Sequence, residues 1–316
     1  MTRFVLRRLA GAVVVMIALS IVTFLLFAWV PGGDPAVRMA GRTATAQNIA
    51  NIRHAWGFDR SLPVQYLTLM KRTFVTGDLV SYANQTNVRD QIIQRIPVTL
   101  SVAIGAAVLW SLLGVLIGTL SALYASRWPD RLFTFFAVAC IALPSFWVGI
   151  ELRHLLGEQA GIFPAGGYVP LGQSVSGWFS HLLLPWFVLS LMFVGIYARV
   201  VRATVLDVLD KDYVRTARAK GVPERRVMTR HVLRSSLTAV VTLFGLDFAG
   251  VLAGGTILVE AIFDLHGVGQ YAADAVSNLD LPPLIGVALY GGVTVVVLSA
   301  LVDIAYGWLD PRVHVD

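Results

Sequence analysis

The sequence predicts an all-α integral membrane protein with six transmembrane helices. Of its 316 residues, 56% are hydrophobic and 14% are charged, and the mean hydropathy is +0.71. An ordinary soluble domain has about 25% charged residues, so a soluble protein of this composition could not cover its surface with polar groups. Six apolar stretches also approach or exceed the roughly 20 residues that a helix needs to cross a bilayer.

The predicted spans follow one another along the whole chain. They cover residues 9–30, 96–126, 132–150, 178–198, 235–259 and 281–302. The first span ends before Pro31, Gly32 and Gly33 and has no obvious cleavage site, so we interpret it as a retained helix and not as a signal peptide.

The distribution of basic residues predicts the orientation of the spans. Segment 199–234 contains ten Lys or Arg residues against four acids, whereas the connection between spans five and six contains acids and no Lys or Arg. Further basic residues lie on the same side as this segment, at Arg3, Arg7, Arg8, Arg127 and Arg131. The positive-inside rule therefore predicts that both termini are cytoplasmic. Segment 31–95 is also basic, but long loops escape this rule.

These features divide the chain into three predicted parts. Residues 1–30 contain a short interfacial N-terminus and span one, and residues 31–95 form an extracytoplasmic segment that caps the bundle. Residues 96–316 form a five-span core with a cytoplasmic loop at 199–235. Two GxxxG pairs, Gly114 with Gly118 and Gly250 with Gly254, fit either packing within the chain or an oligomer face.

The cytoplasmic loop is predicted to form a helix, a sharp turn and a second helix. Gly221 suits the left-handed end of a helix, and Pro223 suits the start of the next one. Ala217 and Ala219 leave a slim surface that a partner could grip, while the arginines could instead contact lipid head groups. A DNA-binding helix-turn-helix also fits the pattern, but the short tether between spans hinders access to a duplex. We therefore predict no nucleic-acid partner.

The loop resembles the EAA coupling motif of ABC importer permeases, in the form R-T-A-R-A-K-G at residues 215–221 that is typical of the dipeptide/oligopeptide family. Other segments resemble that family in order along nearly the whole chain, including P-G-G-D-P at 31–35, G-F-D-R-S-L-P-V-Q-Y at 57–66, R-I-P-V-T-L at 95–100, L-P-S-F-W at 143–147, F-P-A-G-G at 163–167 and V-E-A-I-F at 259–263. The chain is most similar to the first, "B"-type, permease of such a system.

The resemblance implies a type I ABC importer fold in a bacterial inner membrane. A second homologous permease would complete the pore, two ATP-binding subunits would bind ATP-Mg and dock beneath it, and an extracytoplasmic solute-binding protein would deliver peptides. Relatives of the family also transport nickel or glutathione. The motif implies a set of ATPase-coupling residues: Tyr213, Arg215, Thr216, Ala217, Ala219, Gly221 and Pro223.

The chain departs from the family pattern at three places. Charged residues between Glu151 and Glu158 interrupt the end of span three; we expect the span to end near Ile150, with ion pairs beside a water-filled vestibule as the alternative. Asp247 in span five either lines the pore or forms a hydrogen bond with a neighbouring helix or with the partner permease. His266 stands where the family has proline and is expected to be a turn residue.

The sequence contains no sign of a catalytic site. It has no Walker A motif and no Gly-x-Ser-x-Gly motif, so ATP hydrolysis is expected in partner chains. A single cysteine and six histidines without an HxxxH pair predict no metal site and no directly bound cofactor. The alternative function is an ATP-independent secondary transporter or channel. That class predicts paired broken helices with repeat symmetry, which the sequence does not indicate.

Overall fold

A computed structural model describes residues 2–29, 34–40 and 45–309, and most of these residues are helical. One isolated antiparallel bridge joins Val80 to Asn87. The helices are α1 Thr2–Trp29, α2 Pro35–Ala40, α3 Ala46–Trp56, α4 Leu62–Lys71, α5 Val88–Leu123, α6 Trp128–Ala142, α7 Ser145–Leu152, α8 Val175–Leu209, α9 Asp212–Ala219, α10 Glu224–Arg226, α11 Arg234–Gly250, α12 Ile257–Ile262, α13 Val268–Ser277 and α14 Leu281–Leu309. Wider π-helical turns extend α4, α7, α10 and α11 over Arg72–Thr76, Arg153–Gln159, Val227–Leu233 and Val251–Gly255.

The long apolar helices confirm an all-α, multi-pass membrane protein. Within the described residues, α5, α8 and the part of α14 up to Leu301 are each long and apolar enough to cross a bilayer. Two bent pairs of helices each provide a further span if their halves are taken together, and α1 contains an apolar stretch at Val13–Leu26. This set is compatible with the six predicted spans. The interfacial segment predicted at residues 3–8 forms the first turns of α1 and not a separate helix.

Span three is broken, whereas the sequence predicted one continuous helix over residues 132–150. The axes of Trp128–Ala142 and Ser145–Gln159 meet at 92°. Between them, Leu143 and Pro144 both have extended backbone conformations. The proline ring disfavours the helical conformation of the residue before it, which explains why α6 ends there. The second bend, of 46°, separates Glu224–Thr238 from Val240–Gly255.

Span three was predicted to end near Ile150, and the position of the membrane boundary on this helix stays a prediction. The helical backbone continues to Gln159. In this extension the charged residues pair locally: Arg153 Nε lies 3.3 Å from Glu158 Oε1, and His154 Nδ1 lies 3.0 Å from Glu158 Oε2. The alternative of local ion pairs is therefore what the structure contains.

The described chain forms two compact units. The first comprises the described residues of 1–99, 252–261 and 266–309. In it, α1 packs along α14, and α13 also packs on α14. Its buried core includes Phe24, Leu69, Val88, Tyr271 and Ile285.

The second unit comprises residues 100–251 and 262–265 and is organised around α8. Helices α6, α7 and α11 pack against α8. The part of α5 in this unit approaches it closely, because a Cβ on Gly118 would lie only 2.5 Å from the carbonyl oxygen of Ala198. A Cβ on Gly195 of α8 would likewise lie 2.4 Å from the carbonyl oxygen of Ala137 in α6.

The two GxxxG pairs have different surroundings. Gly114 and Gly118 face α8, which is the packing within the chain that the sequence left open. Gly250 differs, because no atom lies within 4 Å of a Cβ placed on it.

Candidate functional site

The predicted cytoplasmic loop contains the helix, turn and helix that its sequence indicates. Helix α8 continues to Leu209, so the first third of the loop is an extension of a membrane helix. Only Asp210 and Lys211 separate α8 from α9, and α9 contacts both α8 and the π-helical turn at Val227–Leu233. The short helix α9 is therefore attached almost directly to the end of a span.

The turn after α9 is closed by two backbone hydrogen bonds. Val222 N donates to Ala217 O at 3.2 Å, and Gly221 N donates to Arg218 O at 2.9 Å. Gly221 has a φ of +73°, in the left-handed region that glycine adopts without a Cβ penalty. This pattern is a Schellman motif, and it confirms the predicted role of Gly221. Helix α10 begins at Glu224, directly after Pro223, as predicted.

An ion pair spans the same turn. Arg218 Nε and Nη2 lie 3.1 Å and 2.6 Å from the two carboxylate oxygens of Glu224. The hydrogen bond from Arg218 lowers the pKa of Glu224 below its usual value, and the same bond raises the pKa of Arg218. Both side chains are about half exposed, so water screens the pair and it contributes less than about 1 kcal/mol to stability.

The two faces of α9 have different exposure. Val214 and Ala217 are three residues apart, so they lie on one face, and both are buried. Ala217 is only 8% exposed, so the slim surface offered to a partner consists of Ala219 and Gly221 without Ala217. The remaining predicted coupling residues are exposed, namely Tyr213, Arg215, Thr216 and Pro223.

Asp247 accepts a hydrogen bond from a neighbouring helix. Tyr197 Oη of α8 donates to Asp247 Oδ2 at 2.9 Å. Tyr197 is fully buried and its ring lies beside that of Trp110, whereas Asp247 is half-buried. The contact to a neighbouring helix is thus present, and the pore-lining role of Asp247 stays a prediction.

Comparison with known proteins decides the family. The family described as "Binding-protein-dependent transport system inner membrane component" matches residues 112–315, and the N-terminal component of the same type of system matches residues 1–103. The chain is an ABC importer permease of the peptide transport family. It is accordingly a multi-pass protein of the inner membrane.

Named relatives match the chain from end to end. A Brucella suis protein named as a peptide transport system permease is 37% identical over 316 residues, which is all of both chains. A Sinorhizobium fredii protein named as a peptide ABC transporter permease is 34% identical over 98% of this chain and 99% of its own. A glutathione transport system permease of Salmonella typhimurium is 34% identical over 99% of both chains.

The permease contains an ion pair with a buried carboxylate that the sequence did not single out. Asp130 of α6 accepts hydrogen bonds from Arg202 Nε and Nη2 of α8, both at 2.8 Å. Its other donors are Ser121 Oγ at 2.6 Å, Ser126 N at 3.0 Å and Thr134 Oγ1 at 3.4 Å. In the sequence, Arg202 is one of the ten Lys or Arg residues of segment 199–234, and nothing distinguishes it from the others. Asp130 itself could have indicated such a pair, because it is an acid in the first turn of an apolar helix, between two arginines.

Two acids in the connection between predicted spans five and six of the permease, Glu260 and Asp280, are also buried. Glu260 is fully buried and accepts hydrogen bonds from Thr99 Oγ1 at 2.8 Å and Gln270 N at 3.0 Å. Burial raises the pKa of Glu260, although these donors oppose the shift. The glycines beside it are required, because a Cβ on Gly267 would lie 2.3 Å from Glu260 Oε2. His266 adopts a φ of +62° in the adjoining turn, which confirms it as a turn residue.

Asp280 has a comparable role at the start of α14. It accepts hydrogen bonds from Tyr82 N at 2.9 Å, from Ala83 N at 3.2 Å and from Ser81 Oγ. Asp280 is 4% exposed. It therefore attaches the turn before α5 to the beginning of the last span.

Proposed function

We propose that this permease forms half of a translocation pore for di- and oligopeptides, with a second homologous permease as the other half. Two cytoplasmic ATP-binding subunits bind ATP-Mg and hydrolyse it, and the present chain is non-catalytic. An extracytoplasmic solute-binding protein delivers the peptide. The charge distribution along the chain supports cytoplasmic placement of both termini and of the α9–α10 turn.

The observation that supports coupling best is the form of the α9–α10 turn. It is exposed, closed by a Schellman motif and joined to α8 by only two residues. Because Val214 and Ala217 hold α9 against its own chain, a displacement of α9 must act on the span to which it is attached. ATP bound by the partners would then bias the permease between its inward- and outward-facing states, as differential binding requires.

Exposed basic side chains give this surface a chemical character suited to an acidic or polar groove. Within the described part of the loop, six exposed basic residues lie in or beside the turn: Arg215, Arg218, Lys220, Arg225, Arg226 and Arg230. The same residues would also favour anionic lipid at the membrane surface. Charge alone therefore does not separate docking to a partner from contact with lipid, and the shape of the turn at Gly221 supports docking.

A substitution at Gly221 tests the coupling role. Gly221→Asp adds a charged side chain to the docking surface, at a position where no atom of the chain lies within 4 Å of the new Cβ. We expect the variant to lose co-purification with the ATP-binding subunits and to lose ATP-dependent peptide uptake in proteoliposomes. Gly161→Asp is a matched control, because Gly161 also has a positive φ of +61° and open space at its Cβ but lies outside the loop.

The two variants separate docking from backbone strain. Both place an aspartate in a left-handed conformation, so any cost of strain is similar in both. If Gly221→Asp assembles with the ATP-binding subunits and supports uptake as well as Gly161→Asp does, the docking proposal is wrong.

For the substrate, we propose peptides with a free amino terminus, contacted in the pore by Asp247. The names of the relatives support peptides, and glutathione is itself a tripeptide. A half-buried carboxylate in a membrane helix suits a peptide ammonium group. Asp247→Asn keeps an acceptor for Tyr197 and removes the charge. It should reduce uptake of free peptides more than that of N-acetylated peptides, and equal effects on both would contradict the pore role.

A further inference from the structure

The ion pair between Asp130 and Arg202 joins two helices near the end of α8 that leads to α9. Its carboxylate is 7% exposed and its guanidinium 34% exposed. Two parallel hydrogen bonds of 2.8 Å connect the groups, which is the bidentate geometry that fixes orientation as well as distance. Arg202 lies seven residues before the end of α8 at Leu209, or about two helical turns from the connection to α9.

The donors to Asp130 come from α5, from the turn before α6, from Thr134 of α6 itself and from α8. Ser121 belongs to the last turns of α5, and Ser126 belongs to the tight turn that leads into α6. Ser126 has a φ of +65°, so its N–H is directed at the carboxylate by an uncommon backbone conformation. The carboxylate therefore fixes the start of α6 relative to α5 and α8 at once.

Apolar packing already holds α6 against α8 further along. Gly195 allows close approach to the Ala137 carbonyl oxygen, and Cys140 is buried farther along α6. The ion pair is therefore not required to keep the helices together. What it adds is a directional connection at one end, where apolar contacts alone would let the helices slide.

We infer that Asp130 and Arg202 are positioning residues that pass the displacement of α9, through α8, to α6. This inference rests on the proposed coupling role of the α9–α10 turn. Helix α6 ends at the 92° break at Leu143 and Pro144, so a change in its tilt moves the start of α7. The displacement passes from the α9–α10 turn along α8, across the ion pair to α6, and so to the break in span three. In this scheme the ion pair stays closed throughout the transport cycle.

A removable cross-link tests this role. Cys140 is the only cysteine of the chain, so a Cys140→Ala background allows Asp130→Cys and Arg202→Cys to be joined by a bifunctional methanethiosulfonate reagent. The full importer, with both permeases, both ATP-binding subunits and the solute-binding protein, is reconstituted in proteoliposomes. We expect normal assembly and basal ATP hydrolysis without the link, but a fall in peptide uptake of roughly tenfold, within the range typical of coupling between sites. The link should restore uptake, and a reducing agent should abolish it again.

Single substitutions provide the second measurement. Arg202→Gln should uncouple ATP hydrolysis from uptake, and Arg202→Lys, which keeps the charge and one donor, should recover part of the uptake. Arg199→Gln is the matched control, because Arg199 lies one turn earlier on α8 and is exposed. We expect wild-type uptake from it.

Three results would overturn the inference or its basis, and they are distinguishable. If the cross-linked protein transports no better than the reduced one, the ion pair does not act as a fixed connection. If Arg202→Gln reduces assembly as much as uptake, its role is structural only. If the wild-type complex itself fails to couple ATP hydrolysis to uptake, the proposed function is wrong and the variants are not at fault.

Discussion

The two GxxxG motifs provide a sharp test, because the same sequence pattern has opposite surroundings. A Cβ on Gly118 would lie 2.5 Å from the carbonyl oxygen of Ala198 and 2.7 Å from Val201 Cβ. Neither atom belongs to a flexible side-chain end, so α5 and α8 must separate to admit alanine. Overpacking of this kind costs about 1–3 kcal/mol. At Gly250 nothing lies within 4 Å, and alanine in place of glycine stabilises a helix interior by up to about 1 kcal/mol.

Thermal unfolding of the detergent-purified permease, followed by size-exclusion chromatography, measures both variants. We expect Gly118→Ala to lower the melting temperature by several degrees, since each kcal/mol corresponds to about 2–4 °C in a chain of 150–250 residues. Gly250→Ala should leave the melting temperature unchanged or raise it. Equal destabilisation by the two substitutions would refute the assignment of close packing to Gly118 and open space to Gly250.

The same pair also tests the oligomer face that the sequence left open. If Gly250→Ala is stable alone but no longer co-purifies with the second permease, the open space at Gly250 is filled by that partner. If it assembles normally, Gly250 faces lipid or solvent in the complex. Gly118→Ala is the control, because it shows how much assembly is lost when the chain itself is destabilised.

Three further predictions concern the acids. Glu260→Ala leaves a hydroxyl and a backbone N–H buried without an acceptor, so it should destabilise the permease by about 2–5 kcal/mol, whereas Asp274→Ala, at an exposed acid nearby, should have no effect on the melting temperature. Asp280→Ala should increase hydrogen exchange in the turn whose donors it accepts, without a comparable increase in α9. Because its folded pKa is lowered, Glu224 contributes stability above its ordinary pKa of 4.5 and loses it as the pH falls through the folded value. The difference in stability between the wild type and Glu224→Gln, under about 1 kcal/mol at pH 7, should therefore shrink in acid.

Features set by neighbouring residues were predictable from the sequence. The apolar runs depend on composition over about 20 residues, so they locate the spans. The turn at Gly221 and Pro223 depends on backbone preferences of single residues, and it forms where predicted. His154 and Glu158 are one helical turn apart, a spacing that favours the contact they make.

Features set by distant partners were not predictable. Arg202 is 72 residues from Asp130, and Thr99 is 161 residues from Glu260, so no local pattern indicates either pair. The break in span three had a local signal in Pro144, but a proline within an apolar run also occurs inside unbroken helices. Pro97 and Pro185 show this, since α5 and α8 continue past them.

The number of donors separates the structural acids of this permease from Asp247. A buried carboxylate is stable only if its lone pairs are satisfied, and Asp130, Glu260 and Asp280 each lie at a helix end or turn where several donors converge. Asp247 lies within α11, is half-buried, and among the described residues accepts a hydrogen bond from Tyr197. Its remaining acceptor capacity must be met by water, a partner helix or substrate. This small number of donors supports the proposed contact between Asp247 and a peptide ammonium group, which the Asp247→Asn variant tests.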